Sequence, residues 1–94
     1  MQIQLFATYR DIVNAKTVDV PVTESMTTIK ELLQSLINLF PAFQKELFLD
    51  ETQLSLKPHV HIFVNGRNII HLQGLNTPFT FKDEIALIPP VGGG

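Results

Sequence analysis

The feature that most constrains this chain is a single amphipathic helix signal set among segments that alternate with a period of two. Ile29, Leu32, Leu33, Leu36, Ile37 and Phe40 recur at helical spacing, which makes one wide apolar stripe that has to be laid on something flat. Thr28 stands three residues before Glu31, the spacing at which a threonine hydroxyl and a glutamate carboxylate each cap the other's backbone N–H. Pro41 ends the helix, and residues 42–49 are expected to form a second short helical segment before the polar turn at Asp50, Glu51 and Thr52. With only one long helix, the chain must cover the stripe with strands.

The strand signals are on either side of it. Ile3, Leu5 and Ala7 alternate with Gln2, Gln4, Phe6 and Thr8, and Val18, Val20 and Val22 alternate with Thr17, Asp19 and Pro21. These read as a hairpin, joined through a connection from Tyr9 to Lys16 in which Asn14 can take a left-handed conformation. A third strand is expected over His59–Asn65, with Val60, Ile62 and Val64 inward and His59, His61 and Phe63 outward, ending in the turn signal Asn65-Gly66. From Ile69 to Phe81 short apolar pieces alternate with Gly74 and Pro78 and read as short strands or turns. Glu84–Ile88 closes the sheet with Ile85 and Leu87 inward. The order fits an α+β domain, a mixed sheet with one helix across one face.

If the first and last strands lie side by side, Phe6, Phe63 and Ile88 share the face opposite the helix. That face is then apolar where solvent should be. Two readings stay open: an interface for another protein, or a second small core covered by residues 66–78.

After Ile88 the chain reads Pro89-Pro90-Val91-Gly92-Gly93-Gly94. Two prolines supply no N–H and end ladder pairing, and glycines let other groups approach the backbone closely. Residues 1–88 are therefore read as the domain and 89–94 as a projecting tail. Six residues at ~3.3–3.6 Å each carry the final carboxylate roughly 20 Å outward, a reach that suits entry into another protein's active site. The plainer reading is a loose chain end.

Composition narrows the classes. A chain of 94 residues is one domain, and its 45% hydrophobic and 17% charged residues describe an ordinary globular protein. A net charge of −2 gives no reason to expect nucleic acid or an anionic membrane as partner. The sequence has no cysteine, which removes thiolate nucleophiles and cysteine-based metal sites. His59 and His61 lack a nearby cysteine or carboxylate and make a poor metal site, so no metal is expected. No apolar run approaches a membrane span, and a cytoplasmic location is the expectation. Asp83-Glu84 reads as a strand-entry turn rather than an acid/base pair.

Three stretches carry a family likeness: Leu5-Phe6-Ala7 with Arg10; Ile62-Phe63-Val64-Asn65-Gly66-Arg67-Asn68 with Gly74-Leu75-Asn76-Thr77; and Asp83-Glu84-Ile85-Ala86-Leu87-Ile88-Pro89-Pro90-Val91 before Gly93-Gly94. Together they resemble the small-subunit family of molybdopterin synthase and, more broadly, the ubiquitin-like sulfur carriers that include the thiamine-pathway carrier. Gly92 and Lys82 depart from the common pattern, and residues 41–58 are longer than in minimal carriers. The resemblance implies a ubiquitin-like β-grasp with a mixed sheet of four to five strands. It implies a sulfur carrier without an active site of its own, the non-catalytic subunit of a synthase. Gly94, next to Gly93, would be adenylated and converted to a thiocarboxylate that donates sulfur in molybdenum or tungsten cofactor synthesis. Phe6, Phe63, Ile88, Pro89, Pro90, Val91 and Gly92 would meet partners. Those implied are a large synthase subunit in a heterotetramer, a ubiquitin-activating-like adenylyltransferase that uses ATP, and a sulfurtransferase or cysteine desulfurase. No cofactor would be held stably by the chain itself. A thiamine-type or tRNA-thiolation carrier, a ubiquitin-like modifier and a plain β-grasp binding module are the alternatives.

Overall fold

The helix signal is where the fold is decided. The structure is a computed structural model, and it describes residues 1–53 and 55–90. Its main helix, α2, spans Ile29–Leu39 and begins in the expected capping box: Glu31 N–H donates to Thr28 Oγ1 (3.4 Å) while Thr28 N–H donates to Glu31 Oε1 (3.2 Å). Ile29, Leu32, Leu33 and Leu36 are completely buried, so the stripe faces the sheet as its spacing requires. Ser35, the buried polar residue in that stripe, donates to the Pro21 carbonyl at 2.7 Å, which avoids an unsatisfied hydroxyl.

Five strands form the sheet: β1 (Gln2–Leu5), β2 (Thr17–Asp19), β3 (His61–Val64), β4 (Arg67–Asn68) and β5 (Ile85–Ile88). Their spatial order is β2-β1-β5-β3-β4. The outer pairs are antiparallel hairpins, and β5 lies in the middle, parallel to β1 and antiparallel to β3. This is the ubiquitin-like β-grasp, with the crossover from β2 through α2 to the far side of the sheet. Ile3, Leu5, Ile62, Val64, Ile85 and Leu87 face α2 and are buried, all six on the face their alternation assigns.

One stretch differs from the sequence reading, and another takes one of the two forms it left open. Tyr9–Val13 is a short helix, α1, rather than an open connection; Asn14 caps it at φ 57 and donates its N–H to Arg10 O. Five residues are too few to display a helical period, and the apolar trio Tyr9, Ile12 and Val13 becomes legible only once Tyr9 is seen to be buried against Phe43, ring centroids 5.8 Å apart. Of the two forms open for residues 69–81, the chain takes turns: residues 69–71 and 74–76 form two turns of 3-10 helix, with a bridge between Thr28 and Pro78. The segment 77–79 lies along the start of α2, with Ile29 N–H donating to Thr77 O (2.9 Å) and Phe79 N–H to Thr27 O (3.0 Å).

The expected second helical segment is α3, Phe43–Leu47. The chain after it is tied down by glutamines: Gln34 donates to Gln53 (3.0 Å), Gln53 to Gln44 (2.6 Å), and Gln44 to the Asp50 carbonyl (2.8 Å). Amide side chains that both donate and accept can relay in this way.

Candidate functional site

A central β5 flanked by β1 and β3 determines what stands on the face away from α2. The register sets Gln4, Ala86, Phe63 and Asn68 in one row across the sheet, and Ile88 beside His61 in the next. Phe6 follows β1, its N–H donating to Leu87 O at 3.2 Å, and so reaches the Ile88 row. Phe6, Phe63 and Ile88 thus come together as expected, lining a hollow of ≈ 230 Å³ with Gln4, Gly66, Glu84, Ile85 and Ala86. Each of the three is half-buried. They are neither sealed beneath residues 66–78 nor fully in water: His71, Leu72, Arg67 and Asn68 border Phe63 on one side and leave the hollow open.

Two residues shape this face that sequence reasoning passed over. Ala86 pairs with both Gln4 and Phe63, and its single methyl is what keeps the middle of the face concave. Arg10 lies with its guanidinium 5.3 Å from the centroid of Phe6 and its Nε 2.8 Å from the Leu5 carbonyl. The ring is therefore held by a cation–π contact in a fixed orientation at the edge of the hollow. Arg10 was visible only as part of the family likeness; its contact depends on α1, which alternation does not reveal.

The far end of β5 is locked. Asn65, at φ 53 in the turn with Gly66 at φ 81, donates its N–H to Glu84 O and accepts the Glu84 N–H at Oδ1, both at 2.8 Å, and donates Nδ2 to Asp83 Oδ1 at 3.0 Å. Asn65, followed by the Thr80 backbone, holds the Asp83 carboxyl below the usual carboxylate range. Clamping the start of β5 fixes which residue emerges at its other end.

That end is the tail. Pro89, expected as the first residue of the projecting segment and as a partner contact, is buried. A ring without an N–H continues the apolar run at no hydrogen-bond cost. Pro90 is exposed. Val91, Gly92, Gly93 and Gly94 lie outside the described residues.

His61 Nδ1 is 3.0 Å from Asn68 Nδ2, and its ring is tilted against Phe63 at 6.5 Å. His59 is exposed at φ 65 just before β3. Among the described residues no three His, Cys, Asp or Glu side chains gather as a metal site, and no helix is long and apolar enough to cross a membrane.

Comparison with known proteins agrees with this geometry. Residues 3–94 match the ThiS family. Small archaeal modifier protein 3 of Haloferax volcanii is 32% identical, over 100% of this chain and 98% of its own length. The crystal structure of SAMP1 from Haloferax volcanii superposes with a TM-score of 0.81 at 30% identity, covering 100% of this chain and 98% of that one. The solution structure of small archaeal modifier protein 1 from Methanosarcina acetivorans gives 0.81 at 32% identity over 99% and 94%. The chain belongs to the ThiS family of ubiquitin-like sulfur carriers and modifiers.

Proposed function

We propose that the chain is a sulfur carrier whose reactive group is the carboxylate of Gly94. The observation that carries this reading is the family match, which runs through residue 94. It is supported by the apolar hollow of Phe6, Phe63 and Ile88 at the end of β5 from which Pro90 leaves. In the proposed sequence, a ubiquitin-activating-like adenylyltransferase binds that face and receives the tail. The Gly94 carboxylate oxygen attacks the α-phosphorus of ATP, pyrophosphate leaves, and an acyl-adenylate forms. The terminal sulfur of a persulfide on a sulfurtransferase or cysteine desulfurase then attacks the carbonyl carbon and expels AMP, and a thiol cleaves the resulting acyl disulfide, which leaves a thiocarboxylate and a disulfide on the sulfur donor.

Glycines suit this chemistry because a Cβ would obstruct a narrow channel. Phe6, Phe63, Ile88 and the segment Pro90, Val91, Gly92 and Gly93 dock and thread; the acids, bases and nucleotide site belong to the partners. The acceptor we propose first is a pterin precursor held by a large molybdopterin synthase subunit.

A second reading is favoured by two relatives at 32% identity, which are named as modifiers: the same acyl-adenylate is attacked by a lysine amine of another protein, an isopeptide bond forms and AMP leaves. The two readings separate in one experiment. With the activating enzyme and ATP present, the carrier reading expects stable capture of the large synthase subunit by the wild-type chain and loss of capture with Phe6→Asp. The modifier reading expects lysines of other proteins that carry, after trypsin, the segment from Asp83 to Gly94, because Lys82 is the last basic residue of the chain. Unchanged complementation of a cofactor-deficient strain after deletion of Gly94 overturns the carrier reading.

A further inference from the structure

The parallel pairing of β1 with β5 sorts the molecule into two poles. The strand ends, Phe6 and Ile88, lie at the pole from which Pro90 leaves; the strand starts, with Met1 and the 80–83 turn, lie at the other. At this second pole the turn is closed by three hydrogen bonds: Thr80 N–H to Asp83 Oδ2 (2.8 Å), Asp83 N–H to Thr80 O (3.0 Å) and Lys82 N–H to Thr80 Oγ1 (3.3 Å). Asn65 holds Asp83 from the other side. The residue at the tip is Phe81, 76% exposed, the most exposed large apolar side chain among the described residues. A turn braced this firmly keeps a phenyl ring in water, uncovered by any of the described residues.

Beside the ring is a hollow of ≈ 490 Å³, lined by Met1, Val22, Met26, Thr27 and Phe79 with Glu24 among its polar residues. Its two methionines can adapt to an inserted group. Lys82 follows Phe81 directly, and among the described residues neither Lys82 nor Glu24 has an ion-pair partner. One patch therefore carries a protruding aromatic, an apolar hollow, an unpaired cation and an unpaired anion.

A contact between identical copies about a two-fold axis needs a patch that complements itself, and these are its four parts. We propose that two copies of this chain associate through this pole. Phe81 of each copy enters the Met1, Val22, Met26 and Phe79 hollow of the other, and Lys82 of each meets Glu24 of the other. Phe6, Ile88 and Pro90 lie at the opposite end, so that end of each copy stays accessible in the dimer. The patch is small, which makes the association weak and transient.

Sedimentation equilibrium of the full chain, from about 10 μM to about 1 mM to reach the range of weak contacts, tests this. The average mass is expected to rise from monomer toward dimer. Phe81→Ser lowers the association constant by about tenfold or more. Glu24→Lys and Lys82→Glu each weaken it by about tenfold through like-charge contact, and the double reversal brings it back to within about threefold. Glu24, Phe81 and Lys82 are all exposed, and an unchanged melting curve verifies the fold of each variant. A chain that stays monomeric at the top concentration overturns the proposal. So does a double reversal no stronger than the single ones, or a dimer lost with Phe6→Asp but not with Phe81→Ser.

Discussion

Replacing Phe6 with aspartate separates docking from folding. The Phe6 ring is half-buried beneath Arg10, so its removal forfeits roughly 1 kcal/mol of transfer free energy and about 0.5–1 kcal/mol of cation–π attraction. The new carboxylate beside Arg10 returns about 0.2–1 kcal/mol, and the backbone bond from residue 6 to Leu87 is untouched. The net loss is about 0.5–2 kcal/mol, small against the ~5–15 kcal/mol of a typical domain. Leu33→Asp is the control: Leu33 is wholly buried, and an unpaired charge there costs above ~4 kcal/mol. In a docked interface the same Phe6→Asp carboxylate is buried without a partner, which costs ~3–5 kcal/mol and weakens binding by about 100-fold or more. Urea titration followed by circular dichroism gives the stabilities, and calorimetric titration against the activating enzyme gives the affinity. A stability loss in Phe6→Asp as large as that in Leu33→Asp, or an affinity within about threefold of the wild type, refutes the assignment of this face.

Tyr9→Phe is expected to be neutral or to stabilise by up to about 1 kcal/mol, because the buried Tyr9 hydroxyl has no hydrogen-bond partner among the described residues; a thermal melt showing a clear loss contradicts this. Thr28→Ala removes the side-chain half of the α2 cap and should cost ~1 kcal/mol, measured by the same titration, with an unchanged midpoint counting against the cap. The Asp83 carboxyl titrates lower in the folded chain than in the unfolded one. Its contribution is therefore complete above the unfolded value near ~4 and is lost as pH falls through the folded value. Asp83→Asn should lower stability at neutral pH and give a shallower acid limb; an acid limb as steep as the wild type's shows that Asp83 does not drive it.

The parts of this molecule legible in its sequence are those fixed by short-range chemistry. Thr28 and Glu31 announce the start of α2 because capping is decided within three residues, and the turn at Asn65-Gly66 is read from two. The pairing of β1 with β5 is non-local, yet the need to cover one helical stripe with alternating strands brings Phe6, Phe63 and Ile88 to one face. What alternation could not supply was α1, too short for a period, and with it the position of Arg10 over Phe6. Residues 69–76 alternate loosely enough to pass for strands but close into 3-10 turns around Asn68 and Gly74, where Asn68 Oδ1 accepts from Ile70 N–H and Gly74 stands at φ 57. Pro89 carried the signal of a strand-breaker, which says where pairing stops and not where burial stops.

The most direct test of the carrier assignment is the intact mass of the chain after co-expression with its activating enzyme and a sulfur source. The expected product is a species in which one oxygen of the Gly94 carboxylate is replaced by sulfur, absent when Gly94 is deleted. A chain that keeps an unmodified carboxylate under conditions where the enzyme consumes ATP contradicts it.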